Sequence, residues 1–332
     1  MSYSQANLAL EKSPLPQTTP EPLHQRYWFI FNPAANRGKA RRWVKPLQAV
    51  LKANQIDTVI QLTTQPNDAT AFAEAARRKV EVVVACGGDG TFNEVAQSLI
   101  YSETPLGCIP LGSGNDFYSN LSGNTAPRRL PLDNAVRKVL NQRVQTIDTG
   151  AVLFQSQRGK YQRAFLNSMG IGFTGEIARV AKSVRYLRGD LIYLYALWWV
   201  GRTHRAAPMT IELTTPTGQQ TCYEQVFSIM IGNGKREGGK FWIAPEAEMN
   251  DGWLDICILK EFPIWQLPKW VYAFLRGKHI YTSQVIYTKV KAADIHLLRP
   301  ESMHLDGEVF EQVSGTVSVQ VVPQSLNVIA VA

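Results

Sequence analysis

Regular patterning begins at Tyr27, after a stretch without apolar periodicity that carries Pro14, Pro16, Pro20 and Pro22. Residues 1–26 therefore read as a flexible tail. Tyr27 to Phe31 is a continuous apolar run of strand length, the pattern of a strand buried on both faces. Ala40, Trp43, Val44, Leu47 and Leu51 follow helical spacing. Thr58 to Leu62 predicts a second strand, and Asn67 is placed to cap a helix running through Ala76. Val80 to Ala85 predicts a third strand, followed by a helix through Leu99, and Leu106 to Pro110 a fourth. This alternation predicts an α/β domain with a mostly parallel sheet. Beyond Asp148 strand candidates dominate: Met209 to Leu213, Val226 to Ile231, Trp253 to Leu259, Ile295 to Leu298, Met303 to Leu305, Thr316 to Val322 and Leu326 to Val331. Helix-like blocks at Ser183 to Trp199 and Trp265 to Leu275 interrupt this β-rich, antiparallel half.

A length of 332 residues suits two domains. The formal charge of +8 suits an anionic ligand, a phosphate-rich substrate or an anionic membrane surface. Cys86, Cys108, Cys222 and Cys257 form no CxxC pair, which argues against zinc and for a reducing compartment. The start lacks the basic and apolar regions of a signal peptide. The longest apolar run, Leu191 to Val200, is too short to span a bilayer.

The chemistry lies in three loops that follow strands. Cys86-Gly-Gly-Asp-Gly-Thr-Phe-Asn-Glu94 opens a helix, with Thr91 and Glu94 at capping-box spacing. Free N–H groups at such a helix start attract an anion. Asp89 beside a phosphate implies a cation such as Mg²⁺ between them. Pro110-Leu-Gly-Ser-Gly-Asn-Asp116 and Asn32-Pro-Ala-Ala-Asn-Arg-Gly-Lys39 are the other two loops. In a parallel sheet all three lie at the carboxyl ends of strands, where ligands bind. Lys39 is either a phosphate contact or a solvated lysine. Gly170-Ile-Gly-Phe-Thr-Gly175 matches GxGxxG, but helix-like sequence around Asp190 does not supply the acidic strand end of a dinucleotide site. A close-packed strand–helix turn is the preferred reading there.

Together these segments, with Asn167 to Phe173, Ala244-Pro-Glu-Ala-Glu-Met-Asn-Asp-Gly-Trp-Leu254 and Leu305-Asp-Gly-Glu308, resemble the bacterial diacylglycerol kinase and lipid kinase family, of one superfamily with sphingosine and NAD kinases. The resemblance implies an N-terminal three-layer α/β domain (27–147, rejoined by about 316–332), a C-terminal β-sandwich-like domain (148–315) and a nucleotide cleft between them. It implies an ATP- and Mg²⁺-dependent transfer to the hydroxyl of a diacylglycerol-like or related lipid. By motif match, Asn32, Pro33, Ala34, Ala35, Asn36, Thr63, Gly88, Asp89, Gly90, Thr91, Phe92, Asn93, Glu94, Ser113 and Asp116 would line the ATP site. Thr63 is placed only by its distance from Asp68. Glu308 would be the proton acceptor, with Asp306 as the alternative base or a metal partner on the same side of a strand, unless Gly307 makes a turn. Asp251 would ligate a structural Mg²⁺ beside the carbonyls of Glu248 and Trp253, unless Asp251-Gly252 is a plain turn. Two departures from the family pattern are Asn36 in place of glycine and Gly238-Gly239-Lys240 in place of three glycines.

Leu187 to Trp199, flanked by Arg185, Arg188, Arg202 and Arg205, reads either as a face for anionic membrane or as a core helix. A lipid substrate and an anionic membrane surface are the expected partners, with no nucleic acid; a homodimer stays open. The expected location is cytoplasmic, peripheral at the inner face of the cell membrane. A soluble NAD-kinase-like enzyme and a catalytically silent nucleotide- or lipid-binding regulator are the alternatives.

Overall fold

Strand β1 (Gln25–Phe31) sends alternate side chains to two layers, as the two-residue repeat of a strand requires. Tyr27, Phe29 and Phe31 pack with helix α1 (Val44–Ala53) and helix α5 (Leu132–Leu140), while Ile30 joins α2 (Asp68–Ala76) and α3 (Asp89–Leu99) on the opposite face. Strand β3 (Val80–Gly87) splits Val82, Val84 and Cys86 from Val83 and Ala85 in the same way. With β2 (Thr58–Leu62) and β4 (Leu106–Pro110) these strands pair in parallel in the order β2-β1-β3-β4. Their carboxyl ends are level: Phe31 lies opposite Leu62 and Cys86, and Gly87 opposite Pro110. The computed structural model describes residues 25–56, 58–123, 131–184 and 190–331; the proposed tail up to residue 24, together with Arg185 and Arg188, lies outside them.

A short helix α4 (Asp116–Leu121) follows β4. After α5 the chain builds β5 (Val144–Ser156), β6 (Gly159–Phe165), β7 (Ser168–Gly172), α6 (Phe173–Ser183), α7 (Asp190–Thr203), β8 (Ala207–Thr215) and β9 (Gly218–Gly232). A small hairpin of β10 (Arg236–Glu237) and β11 (Phe241–Trp242) precedes β12 (Leu254–Lys260), α8 (Leu267–Arg276), β13 (Val285–Val290), β14 (Ala292–Leu305) and β15 (Glu308–Ile329). Strands β5–β9 and β12–β15 pair antiparallel with one another and enclose an aliphatic core around Ile171, Ile211, Ile229, Ile256, Ile295 and Val317. Helices α6, α7 and α8 cover an outer face through Val180, Ala196, Phe227, Phe262 and Trp270.

The sheet expected for the N-terminal domain is part of a larger, mixed one. Parallel pairing is confined to β2-β1-β3-β4 and to the bridge Val328–Leu106 between β15 and β4. These strands are one end of a continuous 13-stranded sheet whose other ladders are antiparallel. The reason is β15, which pairs with β14 and β5 and then reaches β4, so that one strand serves both halves. The separate runs expected within 295–305 and 316–331 are the long strands β14 and β15. Their registers break between Leu297 and Glu301 and between Val322 and Leu326, around Pro300 and Pro323, which have no N–H to give to a ladder. Of the helix expected over Ser183 to Trp199, the described part is α7 from Asp190 onward, while α6 ends at Ser183. Among the described residues no helix is long and apolar enough to cross a membrane.

Candidate active site

Three loops meet at the level carboxyl ends of β1, β3 and β4. The first turns back through three consecutive left-handed residues, Asn36, Arg37 and Gly38. Asn36 therefore holds the conformation in which the family pattern uses glycine, one asparagine tolerates. Asn32 fastens this loop to the second: its Nδ2 donates to Thr91 Oγ1 at 3.0 Å, and its Oδ1 accepts the Ala34 N–H at 2.9 Å. The second and third loops touch backbone to backbone. A Cβ on Gly112 would lie 2.5 Å from the Gly88 Cα, so no other residue fits there. The Gly87 carbonyl accepts N–H groups from both Leu111 and Gly112. A pocket opens beside them, lined by Asn36, Arg42, Trp43, Pro110, Leu111 and Gly112. Thr63, donating its N–H to the Phe31 carbonyl, stands at the same edge. Gly90 and Ser113 are exposed at the loop tips, while Phe92 is core. Lys39 is exposed at the start of a short 3-10 turn.

The carboxylates in these loops serve helices other than those expected. Glu94 does not form a capping box with Thr91; the amides of Asn67 and Ala69 at the start of α2 act on its carboxylate, and burial pushes its pKa up. Asn67 makes no side-chain cap of its own. Ser113 likewise does not cap α4. Asp89 does, accepting N–H groups of Asn115, Asp116 and Phe117, the last at 3.0 Å. Burial raises the pKa of Asp89 and these amides oppose the rise. Asp89 thus has a structural task at the start of α4 besides the Mg²⁺ bridging expected of it. Helix α3, by contrast, starts at Gly88, which has no side chain to cap it. Its amino end carries the partial positive charge that attracts anions.

The third expected feature is resolved as a turn. Asp306 and Gly307 both have positive φ, 46° and 85°, and join β14 to β15 with Leu305 opposite Glu308. This is the two-residue hairpin that Asp-Gly favours, so Asp306 and Glu308 do not share a strand face. Asp306 is saturated: Oδ1 accepts the N–H groups of Asn167 and Ser168, both at 2.9 Å, and Oδ2 those of Leu166 and the Asn93 side chain, both at 2.7 Å. Burial raises its pKa against four N–H groups that lower it. The hairpin tip is thereby pinned to the first turn of α3. Glu308 is exposed, and among the described residues no hydrogen bond or ion pair engages its carboxylate. It is close enough to Glu94 for the two charges to interact.

At the loop expected to hold Mg²⁺, a lysine stands against the carboxylate. Asp251 Oδ1 accepts the Trp253 N–H at 3.0 Å, and Oδ2 is paired with the Lys289 ammonium. Glu248 is exposed, and the Trp253 ring lies under Lys291. Among the described residues no group of three His, Cys, Asp or Glu is arranged to hold a metal ion.

Sequence reasoning missed a buried amide network behind the hairpin. Asn233 Nδ2 donates to the carbonyls of Asp148 and Leu166, and Asn167 Nδ2 to that of Arg236 at 3.0 Å. Asn120 Nδ2, on α4, also reaches the Arg236 carbonyl. The only signal for it was three asparagines in otherwise apolar stretches. The GxGxxG segment is a strand–helix junction: Gly172 ends β7 at φ 80°, and a Cβ on Gly175 would lie 2.1 Å from the Ser302 carbonyl oxygen.

Two family models match this chain in tandem: the diacylglycerol kinase catalytic domain over residues 26–152, and the YegS C-terminal NAD kinase beta sandwich-like domain over 167–330. By class the chain is a lipid kinase. A diacylglycerol kinase of Bacillus subtilis (strain 168) is 30% identical over 86% of this chain and 90% of its own length; one of Staphylococcus haemolyticus is 25% identical over 84% and 81%. The chain belongs to the diacylglycerol kinase family. The fold is shared with a diacylglycerol kinase crystal structure from Bacillus anthracis str. Sterne, with TM-score 0.66 and 21% identity over 92% of this chain and 97% of that one. It is shared more distantly with yeast NADH kinase complexed with NADH, TM-score 0.51 and 7% identity over 93% and 84%.

Proposed function

We propose that this chain transfers the γ-phosphoryl group of ATP to the hydroxyl of a diacylglycerol-like lipid presented at an anionic membrane surface. The observation that carries the proposal is the contrast within the hairpin: Asp306 is consumed by four N–H donors, whereas Glu308 is exposed and unengaged, near Glu94 of α3. Phosphoryl transfer depends on positioning and on electrostatic stabilisation of the phosphates. The amides at the uncapped start of α3 and the left-handed loop through Asn36 and Gly38 would hold the phosphates of ATP. Glu308 would take the proton of the lipid hydroxyl as that oxygen attacks phosphorus. Mg²⁺ would enter bound to the phosphates of the nucleotide.

The membrane reading draws on two helices that share one core. Leu191, Leu194, Trp198 and Arg202 form an exposed stripe along α7, and Trp265, Lys269, Tyr272 and Arg276 one along α8 and its preceding turn. Aromatic tips with cations suit a headgroup layer of anionic lipid.

The test is incubation with radiolabelled ATP and either total bacterial lipid or NAD. Label extracted into the organic phase is the expected result. Label in NAD would move the chain to the soluble branch of the fold, and no transfer to any acceptor would favour a silent regulator.

A further inference from the structure

The loop from Met249 to Trp253 is a junction between the two halves. Asp148, at the level where β5 meets the sheet, donates its N–H to the Met249 carbonyl at 2.6 Å. Its carboxylate accepts the N–H of Gly252 at 2.7 Å and, through the other oxygen, that of Gln324 in β15 at 2.7 Å. Asp251 lies on this loop, Asp255 is the second residue of the adjoining strand β12, and the exposed Glu248 precedes them. Four carboxylates thus crowd one corner, and such crowding requires a compensating cation.

Lys289 supplies it. In the β12–β13 ladder Lys289 stands directly opposite Asp255, and its ammonium is bonded to Asp251 Oδ2. The charges of Asp255, Asp251 and Glu248 all act on it. The neighbouring Lys291 is turned to the Trp253 ring, 5.0 Å from its centroid. Oδ1 of Asp251 accepts the Trp253 N–H, so both oxygens of that carboxylate already have a partner within the protein.

We infer that Lys289 is the resident cation of this junction, standing where the resemblance led us to expect a structural divalent ion. The chain then folds and joins its halves without a structural metal, while its relation to MgATP is untouched. This inference does not depend on which lipid is the acceptor.

The experiment is thermal unfolding without nucleotide, in EDTA and in millimolar MgCl₂, for the wild type, Lys289→Met and Lys289→Met/Asp251→Asn. The wild-type Tm should be the same in both buffers. Lys289→Met should melt lower in EDTA and regain about 2–4 °C in Mg²⁺, because the bared carboxylates now bind the ion. The double variant should lose that gain. A wild type that melts lower in EDTA and recovers in Mg²⁺ would overturn the inference. Should Lys289→Met not fold, Mn²⁺ binding to the nucleotide-free wild type decides it. No Mn²⁺ bound by the corner supports Lys289 as the cation; one ion bound, and lost in Asp251→Asn, refutes it.

Discussion

Asp306 and Glu308 are both carboxylates within one short hairpin, yet their surroundings give them opposite work. Four N–H groups converge on Asp306, and an amide in its place would turn an NH₂ group toward donors. Asparagine accepts the left-handed backbone at this position, so Asp306→Asn isolates the loss of charge. Hydrogen bonds to a charged group are worth about 1.5–3 kcal/mol each. Asp306→Asn should therefore lower both Tm and turnover. Glu308→Gln keeps the side-chain shape but removes a general base, and turnover should fall by roughly 10²–10⁴-fold at unchanged Tm and ATP affinity. Paired melting curves and single-turnover assays check both. A normal rate for Glu308→Gln would remove the base from this hairpin. The motif was legible in the sequence; which carboxylate was free was not, because that depends on donors about 140 and 213 positions away in the chain.

At the scale of elements, strand and helix periodicity located β2 and β4 to the residue, since continuous apolar runs between loops have few other solutions. Caps were misread because spacing alone pairs a side chain with its own helix. Asp89 instead caps α4 across the junction of two loops, and Glu94 faces the start of α2. Asp89→Ala should thus destabilise the protein by about 0.5–2 kcal/mol, as loss of a cap does, measured by chemical denaturation. An inactive variant with unchanged stability would return Asp89 to cation binding. The corner after α8 gives a pH prediction. His279 is fully buried, stacked on Phe274 with centroids 3.8 Å apart, and burial lowers its pKa to about 4. An unfolded histidine titrates near 6.5. Between these values the unfolded chain binds more protons, so this contribution is full above about pH 6.5 and is lost as pH falls toward 4, about 3 kcal/mol in all. Unfolding curves across that window should show a shallower acid loss for His279→Leu than for the wild type.

Across the whole molecule, β15 closes the sheet by pairing with β14 and β5 before meeting β4. No local pattern in the sequence carries that information, because the pairing is fixed by the hairpin at 306–307 and not by periodicity within the strand. The same long-range packing decides what α7 and α8 present to the outside. From sequence, the apolar run through Trp199 fitted a core helix as well as a membrane face; in the structure the helix has a buried side and an exposed aromatic one. Ala196 and Val200 are buried in the core shared with α6 and α8, while Trp198 is 55% exposed and is flanked by Arg202 at 5.2 Å from its ring. On the α8 side Trp265 and Tyr272 are 76% and 63% exposed. Water gains nothing from such side chains, whereas a headgroup layer buries their rings and leaves their polar tips wet. Burying about half of one such side chain is worth about 1.4 kcal/mol, roughly tenfold in affinity. Each cation near an anionic surface adds about 1 kcal/mol, screened by salt. Cosedimentation with phosphatidylglycerol vesicles should therefore weaken roughly tenfold for Trp198→Ser and for Trp265→Ser, and should fall with salt for the wild type. Turnover on a detergent-dispersed short-chain lipid should not change, because neither residue lines the loops at the carboxyl ends of β1, β3 and β4. Equal vesicle binding by wild type and variants would move the docking face away from these helices.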